Sequence, residues 1–488
     1  MSRRNIQHSC EVEITALTKK GHGLGKVTGE LERVVEVPFT APGDKVQACL
    51  QRKKNGVFTS KLEAILSPSP LRIASRCVHF SQCGGCIWQH LSYPDQLKIK
   101  QDKIASLFAP QLPENSFIFP IVPCDIPWEY RNKMEFTFSG DAAGNKYLGL
   151  ILSNSRGKVI NLTECHLVKP WFIAALKATK EWWEESGLLP YHPHKNQGSL
   201  RTLIVREGVS SGDRLVMLTV SGCPEYALQR KQLDDFVSCL KEAIAPVDSS
   251  STLSIFLRIQ QAVKGSETTF YEMLLHGPDH IRESLDIQTS AEAGSNARLS
   301  FAVSPSAFFQ PNTKQAEKLY SLALQMLDIP PHSVVYDLYC GTGTLGICAA
   351  KQAKEVIGIE ISPESSLDAR GNAAKNQLDN VKIFTGPVRD VISSMRKEGT
   401  LPLPDVVMVD PPRSGLDADT IQHLLDLRPP KILYISCNPE SQAENIKELQ
   451  EKGYRIKAIQ PVDQFPQTGH IENIVILEDK VIRPSRLG

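Results

Sequence analysis

The ten residues DLYCGTGTLG, at positions 337–346, decide the fold of this chain. They continue the apolar run VVYDLY and precede a segment with helical periodicity, so the sequence predicts a strand-to-helix turn here. Glycines at positions 341 and 343 let the backbone pass close to a ligand, and the start of a helix supplies N–H donors. The stretch therefore predicts a loop that binds a ligand with its backbone.

Apolar runs and helical patterns alternate from residue 300 onward. Strands that are spaced by helices indicate βαβ units and a mostly parallel sheet. The last two runs, YRIKAIQPV and ENIVILE, have no helix between them and should form an antiparallel pair at one edge. Glu360 ends the strand after the glycine loop, where a carboxylate hydrogen-bonds a ribose in Rossmann-like folds. We therefore expect residues 300–488 to form an α/β Rossmann-like domain.

Residues 8–66 alternate between polar and apolar side chains and turn often. The segments CEVEITAL and ERVVEVPF are typical of half-buried strands, and HGLGKVTG is typical of a glycine-rich turn. Residues 44–66 predict two more strands around a basic Asn-Gly hairpin. The sequence thus predicts an OB-like β-barrel over residues 1–68, and SPSPLR follows as a linker.

The middle of the chain, residues 69–299, has a mixed pattern that predicts an α+β domain without fixing its topology. Residues 95–108 are amphipathic and helical, and FIAALKATKEWWEES predicts a tryptophan-rich helix. The alternating segments KMEFTF and RLVMLTV predict strands.

Composition is that of an ordinary globular protein, with 41% hydrophobic and 22% charged residues and a net charge of +1 among 488 residues. This excludes a disordered or fibrous chain. Residues 1–76 carry 13 Lys and Arg against 7 Asp and Glu, which fits either a nucleic-acid partner or a solvated basic surface. No apolar run reaches the roughly 18 residues of a membrane helix, and the N-terminus has no apolar signal segment. We expect a cytoplasmic protein, whose twelve cysteines are not structural disulfides.

Three residues are predicted to meet at one end of the sheet. Asp410, in VDPPRSG, follows the fourth strand, and Cys437, in YISCNPESQ, ends the fifth. Both therefore face the crevice in which open α/β sheets bind ligands. Glu472, in FPQTGHIENIV, lies at the turn into the last strand beside the same edge. Without further information, Cys437 fits equally a buried small hydrophobe, and Glu472 a solvated carboxylate.

A cysteine and a carboxylate in one crevice suit a specific reaction. The carbon C5 of uracil is too weakly nucleophilic to attack a methyl sulfonium directly. A thiolate that adds to C6 forms an enolate, which makes C5 nucleophilic. After methyl transfer a general base must remove the C5 proton before the thiolate can leave.

Six motifs together give a specific resemblance: SCNP, DPPRSGL, DLYCGTG, GIEI, FFQPN and FPQTGHIE. Together they resemble the RNA uracil-5 methyltransferase family, which makes 5-methyluridine in tRNA and 23S rRNA. The resemblance implies that Cys437 is the nucleophile and Glu472 the base. It also implies that four residues contact S-adenosylmethionine or lie between it and the uracil: Gln310, Tyr339, Glu360 and Asp410. The basic barrel then resembles the RNA-binding TRAM domain of this family.

Two positions depart from the family pattern. Thr344 stands where relatives often have Asn, and Pro387 stands where a polar side chain often meets the adenine. The family's adenine contacts therefore do not carry over at these positions, whereas the reacting atoms are not involved.

A cysteine cluster, CVHFSQCGGC, lies at residues 77–86. Cys77, Cys83 and Cys86 are spaced to bind one centre, and Cys165 is the best fourth ligand. The spacing allows tetrahedral zinc or an iron–sulfur cluster, and chemistry alone favours zinc as the commoner structural choice. The resemblance favours the cluster, since this motif is similar to the [4Fe-4S] motif of the 23S rRNA uracil methyltransferases. We expect a structural or RNA-binding role for it.

The resemblance implies RNA as the partner, with 23S rRNA favoured and tRNA as the alternative target. We expect a monomer without membrane contact, and we expect the central domain to present part of the RNA-binding surface. Two other functions compete. Enzymes that methylate C5 of cytidine usually carry a cysteine in the strand-four motif, and DPPR has none. A catalytically silent RNA-binding protein would not need Cys437 and Glu472.

Overall fold

A computed structural model describes residues 8–480 except 115, 156, 247, 263–264 and 290–295. Residues 1–7, which contribute to the predicted absence of a signal segment, lie outside the described residues. In the described part of the chain, no helix combines the length and the apolar character that crossing a membrane requires.

Five N-terminal strands close into the predicted barrel in the order β1-β2-β3-β5-β4. Alternate residues of the first strand, including Val12 and Ile14, are buried inside it. Asn55 and Gly56 both have positive φ, 51° and 83°, which suits the tight hairpin between the last two strands. The strands are β1 (His8–Leu17), β2 (Gly23–Val27), β3 (Glu30–Val37), β4 (Lys45–Lys54) and β5 (Val57–Ser67).

The segment HGLGKVTG differs from its prediction, because most of it forms strand β2 rather than a turn. Its glycines serve close approach between neighbouring chains. A side chain at Gly25 would collide with the carbonyl oxygen of Glu13, and one at Gly23 would collide with the hydroxyl of Thr40. Glycine is therefore required inside this strand, although it usually signals a turn.

The central domain is built on a six-stranded sheet in the order β12-β11-β10-β9-β7-β8. Its helices pack on the sheet around Phe172, Trp183 and Phe236. The predicted strands KMEFTF and RLVMLTV and both predicted helices are present. The elements are α1 (Tyr93–Phe108), β6 (Phe117–Ile118), β7 (Lys133–Gly140), β8 (Lys146–Gly149), α2 (Pro170–Glu185), β9 (Leu200–Glu207), β10 (Arg214–Ser221), α3 (Arg230–Ala243), β11 (Leu253–Gln261) and β12 (Thr269–His276). Short 3₁₀ helices span Ala109–Gln111 and Pro224–Tyr226.

A hairpin and a long helix connect this domain to the last one. The hairpin is antiparallel and buries Leu285 and Phe301 against the helix that follows. These elements are β13 (Ile281–Gln288), β14 (Asn296–Val303) and α4 (Thr313–Leu327).

The C-terminal domain confirms the predicted α/β fold. Its eight-stranded sheet has the order β17-β16-β15-β18-β19-β21-β20-β6. The first five strands of that order are parallel, and β21 runs antiparallel to both its neighbours. The elements are β15 (Val334–Leu338), α5 (Thr344–Ala349), β16 (Glu355–Glu360), α6 (Pro363–Lys375), β17 (Val381–Thr385), α7 (Val388–Lys397), β18 (Val406–Val409), α8 (Ala418–Leu427), β19 (Lys431–Ser436), α9 (Pro439–Glu451), β20 (Tyr454–Val462) and β21 (Glu472–Asp479).

The predicted antiparallel pair β20–β21 is present, but it does not form the edge of the sheet. Strand β6, only two residues long, pairs in parallel with β20 through Phe117 and Ile118. Successive residues of β19 alternate between two apolar cores: Leu433 faces α4–α6, and Tyr434 faces α1 and α7–α9. Helices thus cover both faces, and the carboxyl ends of the parallel strands open together at one edge.

Candidate functional site

The carboxyl ends of three adjacent strands define the candidate site. Leu338 of β15 pairs with Val409 of β18, which pairs with Tyr434 of β19. Tyr339 and Asp410 therefore leave neighbouring strands at the same level, and Cys437 follows three residues after Tyr434. Asp410 and Cys437 thus follow adjacent strands, β18 and β19, as the sequence predicts.

The glycine loop between β15 and α5 has the geometry of a backbone cradle. Gly341 and Gly343 have positive φ, 55° and 77°. A Cβ at Gly341 would meet no atom within 4 Å among the described residues, so this side of the loop is open. The Glu360 carboxylate accepts hydrogen bonds from Gly341 N at 2.9 Å and Ser362 N at 2.8 Å, which places it beside the loop. The loop and this carboxylate suit a nucleoside ligand.

Tyr339 and Gln310 flank the crevice. Tyr339 has φ 64°, and its hydroxyl hydrogen-bonds the Thr420 hydroxyl at 2.8 Å. Gln310 is buried, and Gln464 Nε2 donates to its side-chain oxygen at 3.3 Å. Asn132, from the central domain, donates to the Gln310 carbonyl at 2.9 Å and so fixes the loop that carries it.

Cys437 and Glu472 lie side by side. The ladder between β19 and β21 pairs Ser436 with Asn473, so Cys437 and Glu472 are opposite each other at the next position. Glu472 is only 3% exposed, and its Oε2 has no hydrogen-bond partner in the part of the chain that is described. A buried carboxylate oxygen without a partner is costly, which is typical of a group that acts on a ligand.

The electrostatics of the crevice raise the pKa of Cys437, Asp410 and Glu472. Burial, together with the carboxylates of Glu472 and Asp410, raises the pKa of Cys437 to about 11, against a smaller opposite effect of Arg413. Burial raises the pKa of Asp410 to about 7. Burial and the Asp410 carboxylate raise the pKa of Glu472 above its usual range. Without ligands, therefore, Cys437 is a thiol at neutral pH.

Alkylation of Cys437 is expected to report this arrangement. In the free protein its reaction with iodoacetamide should rise with a midpoint near pH 11, as its pKa of about 11 requires. Glu472→Gln removes a negative neighbour and should move the midpoint to lower pH, whereas Arg413→Ala should move it to higher pH. Mass spectrometry of the peptide that contains Cys437 measures both shifts. A midpoint that both variants leave unchanged would contradict the assigned charges.

Sequence reasoning missed the residues that hold the segment before Glu472. This segment, residues 463–471, is named here the base turn, and it connects β20 to β21. Lys100 Nζ bonds Asp463 Oδ1 at 2.5 Å, and both side chains are fully buried. Gln96 bonds Gln467, and the Tyr130 hydroxyl donates to the Pro466 carbonyl at 3.0 Å. The sequence does carry one signal of these contacts: two polar residues, Gln96 and Lys100, lie on the apolar face of α1.

The four predicted ligand cysteines come together. Hydrogen bonds from Gly84 N to the Ile151 carbonyl and from Val78 N to Glu164 join their two segments. Burial and the other thiols raise the pKa of Cys86 to about 12 and that of Cys165 to about 11. The thiols that raise the pKa of Cys86 are those of Cys77, Cys83 and Cys165. The thiols that raise the pKa of Cys165 are those of Cys77 and Cys83.

The spacing of these thiols does not suit a single ion. Among the described residues, no group of three or more His, Cys, Asp or Glu side chains is arranged to hold a metal ion.

A cavity of about 520 Å³ contains Cys437 and is lined by all three domains. The barrel contributes Lys19 and Lys20, α1 contributes Lys103, and Arg413 lies on the catalytic side. A second cavity, of about 990 Å³, runs along the barrel and shares Lys20. The basic residues that line these two cavities extend from the barrel to Cys437, and we name them the basic track, although Glu36, Glu63 and Glu440 line the same cavities. The described members of the track are Lys19, Lys20, Arg52, Lys54, Lys61, Lys103 and Arg413.

Comparison with family models gives two matches. Residues 271–480 match the tRNA (Uracil-5-)-methyltransferase model, and residues 7–62 match the TRAM domain model. The second match covers the closed barrel, as expected from its charge and strands.

Whole-chain comparisons agree with these matches. An uncharacterized RNA methyltransferase of Protochlamydia amoebophila is 55% identical over 91% of this chain and 99% of its own. Another, from Caldanaerobacter subterraneus, is 33% identical over 96% of this chain and 98% of its own. The crystal structure of Pyrococcus abyssi tRNA (uracil-54, C5)-methyltransferase with S-adenosyl-L-homocysteine superposes with a TM-score of 0.70 at 25% identity. That superposition covers 96% of this chain and 99% of the other.

Proposed function

Because the chain belongs to the tRNA (uracil-5-)-methyltransferase family of RNA methyltransferases, we propose that it transfers a methyl group from S-adenosylmethionine to C5 of a uridine in RNA. The observation that carries this proposal is the pairing of Cys437 with Glu472 at the end of one ladder, one strand from Asp410. A nucleophile and a base on opposite strands suit a reaction that needs both on one base.

The methyl donor fits the glycine loop. The backbone at Gly341 approaches its nucleoside, and Glu360, held by the two N–H groups, binds the ribose hydroxyls. Asp410 and Tyr339 lie at the adjacent strand ends, and Gln310 closes the crevice from the central side. These residues orient the methyl group towards the base that Cys437 attacks.

The proposed reaction balances as follows. The Cys437 thiolate forms a bond to C6 of the uracil, and the C5–C6 double bond becomes an enolate. C5 then takes the methyl group, and S-adenosylhomocysteine leaves. Glu472 removes the C5 proton, the C5–C6 double bond re-forms, and the C6–S bond breaks. The products are 5-methyluridine, S-adenosylhomocysteine, the Cys437 thiolate and Glu472 carrying the C5 proton.

Activation of Cys437 requires positive charge, because its pKa is about 11 in the free protein. Arg413 already lowers the pKa of this thiol. The sulfonium of the methyl donor adds a second positive charge beside the carboxylates that raise the pKa of Cys437. The thiolate therefore forms when the donor is bound.

We propose that Cys77, Cys83, Cys86 and Cys165 hold a [4Fe-4S] cluster. The four thiols are neighbours, and C-x5-C-G-G-C with a distant cysteine is similar to the [4Fe-4S] motif of the 23S rRNA uracil methyltransferases. When bound, the cluster supplies a covalent cross-link between two distant segments. A broad violet absorbance from anaerobically purified protein supports the cluster, and a colourless protein that contains zinc would overturn the assignment.

RNA binding is proposed along the basic track, and 23S rRNA is the proposed substrate. The TRAM domain and the cysteine motif support rRNA, whereas tRNA is a second candidate because the Pyrococcus abyssi protein is a tRNA methyltransferase. The target uridine must leave its stack to reach Cys437, which favours a single-stranded or looped site.

Lys19 and Lys20 are expected to bind phosphates of this RNA. Their double replacement by alanine should weaken RNA binding and raise KM, with kcat nearly unchanged. The slope of log affinity against log salt should fall by about 1.4 for the two lost contacts to single-stranded RNA. Lys177 and Lys231, exposed on α2 and α3 away from the track, provide a matched double variant. Equal slopes for both double variants would contradict the track.

Methyl-labelled S-adenosylmethionine tests the function directly. The protein is incubated with unmodified transcripts of 23S rRNA and of tRNA, and the labelled nucleoside is identified and mapped by mass spectrometry. Label in 5-methyluridine supports the proposal, and the labelled transcript decides between the two RNAs. Label in 5-methylcytidine, or no label with either RNA, would overturn it.

A further inference from the structure

Helix α1 holds the base turn at Gln467 through its residue Gln96. We propose that Gln96 is a positioning residue for the base Glu472 and that it acts through Gln467. The inference rests on the proposed function and extends it to a residue far from the reacting atoms.

The two glutamines form a reciprocal pair of hydrogen bonds. Gln467 N donates to Gln96 Oε1 at 2.9 Å, and Gln96 Nε2 donates to Gln467 Oε1 at 3.0 Å. The Gln96 amide also donates to the carbonyls of Trp88 and Leu91, each at 3.1 Å. Gln96 is fully buried and Gln467 is 3% exposed, so water does not compete for these bonds.

The pair stabilises an unfavourable backbone conformation. Gln467 has φ 68°, a left-handed conformation that glutamine rarely adopts. The backbone N–H groups of Ile87 and Trp88 both donate to its carbonyl, at 3.1 and 3.2 Å. The N–H, the carbonyl and the side-chain oxygen of Gln467 are thus all bound by residues outside the turn. Outside partners, rather than the turn itself, determine this conformation.

The position of the base depends on this turn. Glu472 follows Gln467 by five residues, and its Oε2 has no partner among the described residues. The carboxylate is therefore placed by the backbone that carries it. Lys100, one helical turn after Gln96 on α1, holds the start of the same turn through Asp463 and the Phe465 carbonyl. Release at Gln467 should move Glu472 relative to C5 without moving the methyl donor.

Gln96→Ala tests the proposal with ordinary uridine RNA. We expect kcat to fall about ten- to a hundredfold, because a displacement of about 1 Å costs rate of this order. Affinity for S-adenosylhomocysteine and KM for RNA should change less than about twofold. The diagnostic readout is the methylated protein–RNA adduct on denaturing gels, which should accumulate because proton removal becomes slow. Gln101→Ala is the matched control, since that amide binds Ile121 N and Phe119 O instead of the turn.

Gln467→Asn provides a second variant if Gln96→Ala fails to fold. It retains a residue that tolerates positive φ but shortens the partner of Gln96, so the same adduct should accumulate. The double variant with Gln96→Ala should lose little more activity than Gln96→Ala alone, because both changes break the same contact between the two side chains. Unchanged kcat, or adduct and turnover lost in parallel, would overturn the proposal.

Glu472→Gln, run alongside, separates this inference from the proposed function. If the adduct forms with Glu472→Gln but with neither Gln96→Ala nor Gln467→Asn, the proposed function is supported and the role of Gln96 is excluded. No adduct with Glu472→Gln removes the function itself.

Discussion

Cys437→Ala should abolish methyl transfer while S-adenosylmethionine still binds. Without the sulfur no bond to C6 forms, and C5 stays too weakly nucleophilic to attack the methyl group. Loss of a nucleophile commonly costs a factor of about 10⁴ or more in kcat. Cys437 lies at the end of β19, whereas the proposed donor contacts lie on the glycine loop and β16, so donor affinity should be unchanged.

The measurement combines a turnover assay with calorimetric titration of S-adenosylhomocysteine. Cys223→Ala serves as the control, because Cys223 is half-buried in the central domain outside the Cys437 cavity. Turnover that survives in Cys437→Ala would exclude the covalent mechanism. Loss of S-adenosylhomocysteine binding would instead place Cys437 in the donor site.

Glu472→Gln should stop the reaction at a later step. Addition and methyl transfer proceed, but the C5 proton has no acceptor, so the methylated RNA remains bonded to Cys437. Removal of a general base lowers turnover by about 10²- to 10⁴-fold. The expected product is a covalent complex with ordinary uridine RNA that survives denaturing electrophoresis and carries the labelled methyl group.

Two controls define this result. The double variant Cys437→Ala with Glu472→Gln should give no adduct, because the attacking sulfur is absent. Glu448→Gln, on the exposed side of α9, should turn over normally. Normal turnover by Glu472→Gln would show that another group removes the proton.

Much of the C-terminal domain could be predicted, because its order follows from local patterns. Consecutive apolar runs with helices between them require parallel neighbours, and that requirement alone brings Asp410 and Cys437 to adjacent strand ends. The antiparallel return of β21 then brings Glu472 opposite Cys437. Adjacent placement along the chain is thus enough to bring Asp410 and Cys437 together, whereas Glu472 reaches Cys437 only because β21 inserts between β19 and β20.

The parts that could not be predicted depend on contacts between distant segments. The glycines of β2 predict a turn, but in the structure they allow close packing in the barrel. Strand β6 has two residues, too few for any periodicity, yet it extends the sheet beyond β20. Gln96 and Lys100 lie in a helix whose pattern was recognised, but no local signal names Gln467 or Asp463 as their partners.

Gln96 and Gln467 are 371 positions apart in the sequence, so their contact forms late in the synthesis of the chain. Chains emerge from the ribosome at about 5–20 residues per second, so α1 waits about 20 to 75 seconds for its partner. Strand β21 must also insert between β19 and β20 before Glu472 meets Cys437. The barrel and central domain can therefore fold and engage RNA earlier than the last strand arrives. The site is complete only after β21 has been made, because Glu472 must lie beside Cys437, so products truncated before residue 472 lack it.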